Sequence, residues 1–311
     1  MSPLKNVVLV GASGSVGQAI LNGLLASATG FNITLLVRAG SSSKIAQEGH
    51  ADVKVVRGDL SDNAFLQSTL TGQDALVVAL NAAPDSLELQ SRLVDAAAAV
   101  GVKRVIPTDF GSDVTNPKVV EVVPLFQGKV DATKHIKDVV AKNPTTTWTA
   151  VINGPFYDWC LARNIFGLDA KNRTATLYDD GTTKFDTTNI VSLGKVVSGI
   201  LTVPDEFANR YAFVSEFTVS QNDILDALLK ATKTDRKDWT IEHRTTADLR
   251  KSGFEKLAKG DFSGAIDLIG SALFQAGLGS DYSTIRKLDN ALVGLEKGDL
   301  VDVTTNVVQR I

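Results

Sequence analysis

Two hydrophobic rhythms alternate along the first half of the chain. Short, nearly continuous apolar runs mark strands buried on both faces, and stretches with apolar residues every three or four positions mark amphipathic helices. The runs are NVVLV (Asn6 to Val10), NITLLV (Asn32 to Val37), VKVV (Val53 to Val56), ALVVAL (Ala75 to Leu80), RVIP (Arg104 to Pro107) and WTAVI (Trp148 to Ile152). Between them lie helical stretches such as VGQAILNGLLA and, most clearly, DSLELQSRLVDAAAAVG from Asp85 to Gly101. Repeated strand–helix–strand units require parallel strands with right-handed crossovers, and so helices on both faces of one sheet. After about Gly154 the rhythm changes. NIVSLGKVVSGIL and SQNDILDALLKATK read as helices, the second capped by Ser220, and DWTIEHR as a strand. Thr246 to Val293 is mostly helical, broken by Gly260, Gly264, Gly270, Gly277 and Gly279. The expectation is α/β: a doubly wound parallel domain over residues 1–155 and a smaller, mostly helical substrate lobe over 156–311. Some segments of the lobe return to the first domain, and ligand sits in the crevice between the two.

Composition narrows the class. Hydrophobic residues are 44% and charged residues 22%, as in ordinary globular proteins, and the formal net charge of -3 offers nothing to nucleic acid or an anionic membrane. One cysteine, Cys160, rules out a disulfide framework and reads as packing. His50, His135 and His243 are too scattered for a zinc site. Met1 is followed almost at once by the first strand, and no apolar run approaches the roughly 20 residues of a membrane span. A cytoplasmic monomer or homodimer is expected.

The glycine-rich turn changes the picture most. VLVGASGSVGQAI places Gly11, Gly14 and Gly17 between a strand and a helix, as in the dinucleotide loop of Rossmann domains. There Ser13, Ser15 and Val16 complete the loop, and the helix N-terminus presents free N–H groups to phosphates. At the end of the second strand, where NAD-preferring sites carry an acid, stands Arg38, followed by Ser41, Ser42, Ser43 and Lys44. A guanidinium there can pair with a 2′-phosphate, which selects NADPH. Asp59 and Leu60 could flank the adenine, Asp59 serving equally well as a turn residue. Leu80 and Asn81, closing the fourth strand, complete the expected cofactor contacts.

None of the four tyrosines, Tyr157, Tyr178, Tyr211 and Tyr282, has a lysine four residues on, so the usual Tyr-x-x-x-Lys pair is missing. In LFQGKVDATKHIKDVV, Lys129 falls on one helical face with Ala132, Ile136, Val139 and Val140, whereas Lys134 and His135 point elsewhere. Burial would make Lys129 an acid or base near neutrality; if it precedes the true helix it is merely solvated. GASGSVG, VR, VIPTDFG (Val105 to Gly111), FQGK and VINGPF (Val151 to Phe156), in that order, resemble the NmrA-like, isoflavone-reductase-like branch of the atypical short-chain dehydrogenases, closest to its fungal members. The resemblance spans most of the chain and is dense to about Phe156. It implies an NADPH-dependent reductase in which the glycine loop and Arg38 hold cofactor, Asp109 and Phe110 border the nicotinamide, and Lys129 contacts cofactor and substrate and assists proton transfer. Asn153, Pro155 and Phe156 would then lie near the nicotinamide. Two departures stand out. Ser13 replaces a threonine common in plant members, and a longer stretch from Lys129 to Asn153 leaves Lys134 as a competing assignment. Phe156, Tyr157 and Trp159 wall an aromatic substrate pocket or form the seam between lobes. The competing functions are a non-catalytic NADP(H) sensor acting through a protein partner, as among some NmrA-like proteins, and an isomerase on the same fold.

Overall fold

The chain is described here as a computed structural model covering residues 2–42, 47 and 49–311. In chain order the strands are β1 (Asn6–Val10), β2 (Asn32–Arg38), β3 (Val53–Gly58), β4 (Ala75–Val78), β5 (Arg104–Ile106), β6 (Thr147–Ile152), β7 (Leu168–Asp169), β8 (Thr174–Tyr178), β9 (Phe185–Thr187), β10 (Arg210–Phe213), β11 (Phe217–Val219) and β12 (Thr240–Arg244). The helices are α1 (Ser15–Ala26), α2 (Asn63–Leu70), α3 (Pro84–Ala99), α4 (Pro117–Val122), α5 (Gln127–Lys142), α6 (Tyr157–Leu161), α7 (Leu193–Thr202), α8 (Gln221–Thr232), α9 (Thr246–Ala258), α10 (Ser263–Leu273), α11 (Asn290–Val293) and α12 (Leu300–Val308).

β1 is buried on both sides because successive side chains enter different cores. Val7 and Leu9 meet Ile20, Leu21 and Leu24 of α1 and Val196, Val197 and Ile200 of α7. Val8 and Val10 meet Leu66 of α2, Leu93 and Val94 of α3 and Ile136 of α5. The sheet has seven strands in the order β10-β6-β5-β4-β1-β2-β3, and every pairing in it is parallel. The chain winds outward from β1 through β2 and β3, then returns to build the other half from β4. The crevice at the carboxyl ends of β1 and β4 is therefore the topological switch point, where such sheets bind ligands.

The lobe has its own core. Leu161, Phe166, Leu177, Phe185, Leu225, Leu228 and Phe274 cluster with Tyr157 and Trp239. It also holds small sheets: β12-β8-β7, and β11 paired antiparallel with β9. The N-cap expected at Ser220 is present and is part of a capping box, its side chain and that of Asp223 each accepting from the other's backbone N–H. The chain returns to the main sheet after the first lobe segments. α7 packs on α1, and β10 pairs with β6.

Arg104, in β5, is among the largest fully buried side chains of the described residues. Its guanidinium donates to Thr147 Oγ1 (2.8 Å), Thr149 Oγ1 (2.8 Å) and the Pro204 carbonyl (2.7 Å). Burial pulls it down to about 10, but it remains protonated at neutral pH and ties β5, β6 and the segment before β10 together. Among the described residues no helix is long and apolar enough to cross a membrane.

Candidate active site

Gly11 takes φ +88°, and a Cβ on it would come within 2.8 Å of the Ala79 carbonyl carbon; only glycine serves this turn. The chain then enters α1 through Gly14, with no side-chain cap and no acidic residue in the first turn. The N–H groups of that turn are left for a ligand. A cleft of about 440 Å³ opens beside it, lined by Gly11, Ala12, Ser13, Leu36, Arg38, Ser41, Leu60, Leu80 and Asn81 among others. Its wall at β4 is braced by Thr108, whose hydroxyl donates to the Leu80 carbonyl and whose N–H donates to Gln90 Oε1 at 2.7 Å. A narrow glycine turn, an uncapped helix N-terminus and a cation at the end of β2 fit a dinucleotide carrying a 2′-phosphate.

At the ends of β5 and β6 lies a second, largely apolar cavity of about 200 Å³. Phe110, Phe126, Pro155, Phe156, Trp159, Ile165, Phe166, Leu273 and Phe274 line it, with Lys129 as the one basic group among the described lining residues. Lys129 stands in the first turn of α5, with its side chain 12% exposed. Its Nζ donates to the Asp109 carbonyl oxygen at 3.4 Å and lies 3.9 Å from Asp109 Oδ1. It also faces the Phe126 ring, 5.8 Å from the centroid. Burial pulls Lys129 below the usual lysine range, and the Asp109 carboxylate opposes that pull. Asp109 is pushed up to about 6 by burial, against the pull of Lys129 and with a further push from Asp113. At an effective dielectric of about 20, unit charges this far apart attract by about 4 kcal/mol, enough to rival the desolvation of either group. Neither Asp109 oxygen has a hydrogen-bond partner among the described residues, nor does Asn153 Oδ1. These are polar atoms at the ends of β5 and β6, next to where a cofactor extending from the first cleft would end.

The NmrA-like family profile matches residues 3–255. The chain belongs to the NmrA-like family. It is 28% identical over 304 residues to oxidoreductase aprR of Aspergillus flavus, covering 97% of this chain and 98% of that one. Its fold is similar to that in the crystal structures of pinoresinol-lariciresinol and phenylcoumaran benzylic ether reductases (TM-score 0.77, 16% identity, 97% of this chain and 99% of that one). It is also similar to the leucoanthocyanidin reductase–NADPH complex from Vitis vinifera (TM-score 0.74, 17% identity, 97% and 99%). Like the relative it matches end to end, this NmrA-like protein is an oxidoreductase.

The fold brings many of the residues singled out in the sequence to one of the two cavities. Gly11, Ser13, Arg38, Leu80 and Asn81 line the first, and Phe110, Lys129, Pro155, Phe156 and Trp159 the second. Gly14, Ser15 and Val16 form the entry to α1, and Gly17 is buried beneath Gly11. Asp59 is exposed and outside the lining of the cleft, its carboxylate accepting from the Ser61 N–H (2.8 Å) and hydroxyl (2.7 Å); Leu60 is the residue that faces the cleft. Asn153 is fully buried, donating to the Gly154 carbonyl at 2.8 Å. Tyr157 does not line the apolar cavity; its ring sits in the lobe core and its hydroxyl pairs with Thr304 Oγ1 at 2.6 Å. Lys134 is exposed, and His135 reaches Asp95 at 2.8 Å. Ser43 and Lys44 lie outside the described residues. Cys160 lines the cavity as a buried thiol, pushed up to about 12 mainly by burial. Among the described residues no group of His, Cys, Asp and Glu is placed to hold a metal. Sequence reading missed the far wall, formed by Ile266, Ile269, Leu273 and Phe274 of α10 and its end. Phe126 could have been found, because it begins the FQGK stretch.

Proposed function

We propose that this oxidoreductase uses NADPH to reduce a small aromatic or conjugated molecule, with Lys129 taking the part that tyrosine plays in ordinary short-chain dehydrogenases. The observation that carries this reading is the lone buried amine of Lys129, set in an apolar cavity at the ends of β5 and β6, along the same sheet edge as the glycine cleft. NADPH, when bound, supplies the hydride. Gly11, the first turn of α1 and Arg38 hold the pyrophosphate and the 2′-phosphate, so that the reacting groups are fixed in position before any bond changes. Phe110, Phe156 and Trp159 exclude water and offer ring faces to a flat substrate. Lys129 supports the charge that develops on the substrate oxygen, and in a site this dry such support is worth more than in solution. The NADPH in the complex of the grape structural neighbour is consistent with this assignment.

Purified protein is expected to oxidise NADPH, and NADH only poorly, against a panel of aromatic enones, quinones and benzylic ethers. Tight NADPH binding without oxidation of any member would favour the non-catalytic NADP(H) sensor over the reductase. Arg38→Asp is expected to lower the ratio of kcat/KM for NADPH to that for NADH by about 100-fold. It removes a charge-assisted pair and sets a carboxylate against the 2′-phosphate. An unchanged ratio in steady-state assays with the two cofactors would remove Arg38 from phosphate recognition.

A further inference from the structure

Where Lys129 borders the apolar cavity, it meets the buried Asp109 just behind the wall, with little else to satisfy either charge. Asp109 Oδ1 lies 3.9 Å from Lys129 Nζ, and neither oxygen of that carboxyl has another partner among the described residues. Nζ also meets the Asp109 carbonyl oxygen at 3.4 Å and the ring of Phe126, with the Gly111 backbone close by. A carboxylate, a carbonyl oxygen and an aromatic face all favour a cation, and none can donate to the lone pair of a neutral amine. We propose that Asp109 is a positioning residue that keeps Lys129 in its ammonium form, so that the site reduces neutral conjugated carbonyl compounds, whose oxygen is protonated as hydride arrives, and not phenols that must first lose a proton.

The remaining charged and titratable groups around the pair fit this assignment. Asp113 lies close enough to act on Asp109, and its own cation is Arg286 at 3.5 Å. Tyr211, from β10, holds its proton: burial and then Asp109 push it up to about 12, and its hydroxyl is bonded to Thr133. The Cys160 thiol stays neutral as well. Lys129 is thus the cation left to balance Asp109 and the acid that faces the cavity. In the reaction, hydride is received at the electrophilic carbon of the acceptor and the π electrons move to its oxygen. One N–H bond of Lys129 breaks and that proton goes to the oxygen; NADPH, the reductant, becomes NADP⁺. The amine recovers its proton from solvent once product has left.

This inference rests on the reductase reading and assigns its acid and its substrate class, so its test includes a readout independent of turnover. Lysines labelled at Cε with ¹³C are titrated by NMR in the ligand-free full chain, with Lys129→Met identifying the signal. Lys129 is expected to remain charged at neutral pH, to titrate about 1–3 units lower in Asp109→Asn, and to recover most of that shift in Asp109→Glu. An unmoved titration in Asp109→Asn overturns the role of Asp109, whatever the turnover. With an aromatic enone, the alkaline limb of kcat/KM is expected to move down with the NMR titration in Asp109→Asn. Turnover of a phenolic benzylic ether but not the enone overturns the substrate class. NADPH binding with turnover of neither compound removes the reductase reading, and the NMR titration alone then decides whether Asp109 holds Lys129 charged.

Discussion

Replacing Lys129 by alanine is expected to lower kcat/KM for the best substrate by about 10²–10⁴-fold, the range by which positioned proton-transfer groups accelerate reactions. The dissociation constant for NADPH should change little. The two expectations separate because the cleft lined by Gly11, Arg38 and Asn81 contains no part of Lys129, which borders the apolar cavity instead. Removing the amine leaves the Asp109 carboxyl buried beside apolar walls without its cation, and burial already holds that group up at about 6. Lys129→Met therefore belongs beside Lys129→Ala, since it keeps the volume of the side chain and separates loss of the charge from creation of a cavity. Lys134→Ala, on the exposed side of the same helix, is expected to leave the rate unchanged. Single-turnover kinetics and a fluorescence titration of NADPH supply both numbers. Normal turnover by Lys129→Ala would exclude this lysine from the chemistry.

Gly17→Ala is expected to have the second largest effect, this time on the cofactor. A Cβ there would sit 2.7 Å from the Gly11 carbonyl carbon and 2.9 Å from Ala12 Cα, both backbone atoms. Nothing in that wall can rotate out of the way, so α1 must move off β1. Overpacking of this kind costs about 1–3 kcal/mol of stability. It also shifts the N–H groups that face the phosphates, and an affinity loss of about 100-fold for NADPH is expected. Gly14→Ala is the informative contrast. The nearest atom to its added Cβ is the Gly11 carbonyl oxygen at an ordinary 3.5 Å, so stability should be nearly unchanged even where phosphate contact suffers. Urea unfolding and calorimetric titration of both variants would expose the difference, and equal stability loss in the two would contradict the packing argument.

The strands of the first half were legible because burial on both faces writes itself into consecutive apolar residues. β1, β2 and β6 begin and end within a residue or so of their expected places. β10 was not legible. Its sequence is RYAF, short and opened by an arginine, and what makes it a strand is the free edge of β6 and the ion pair of Arg210 with Asp289, far along the chain. β7, β9 and β11 are two or three residues long, too short for any periodicity to show. Lys129 could be placed because helical geometry alone sets it on the stripe with Ala132, Ile136 and Val140, which the structure buries. The position of Tyr157 could not be read, since a tyrosine next to Phe156 suits either pocket or core, and only its distant partner Thr304 on α12 decides between them. The walls of the apolar cavity contributed by α10 are separated from Phe156 by most of the lobe, and no local pattern announces such a meeting.

The return of the chain to the sheet has a mechanical consequence. Between sheet and lobe the chain passes after β6, after β9, after β10, after α10 and again after α11, which packs on α7. A hinge opening the two halves would have to bend all of these connections together, and it would have to strip β10 from β6 or α7 from α1. Opening the crevice would therefore break all of these contacts at once, and the exposed Ile266 stands beside the cavity. A molecule too bulky for a crevice held in this way would be refused on size alone, before any chemistry at Lys129 could begin.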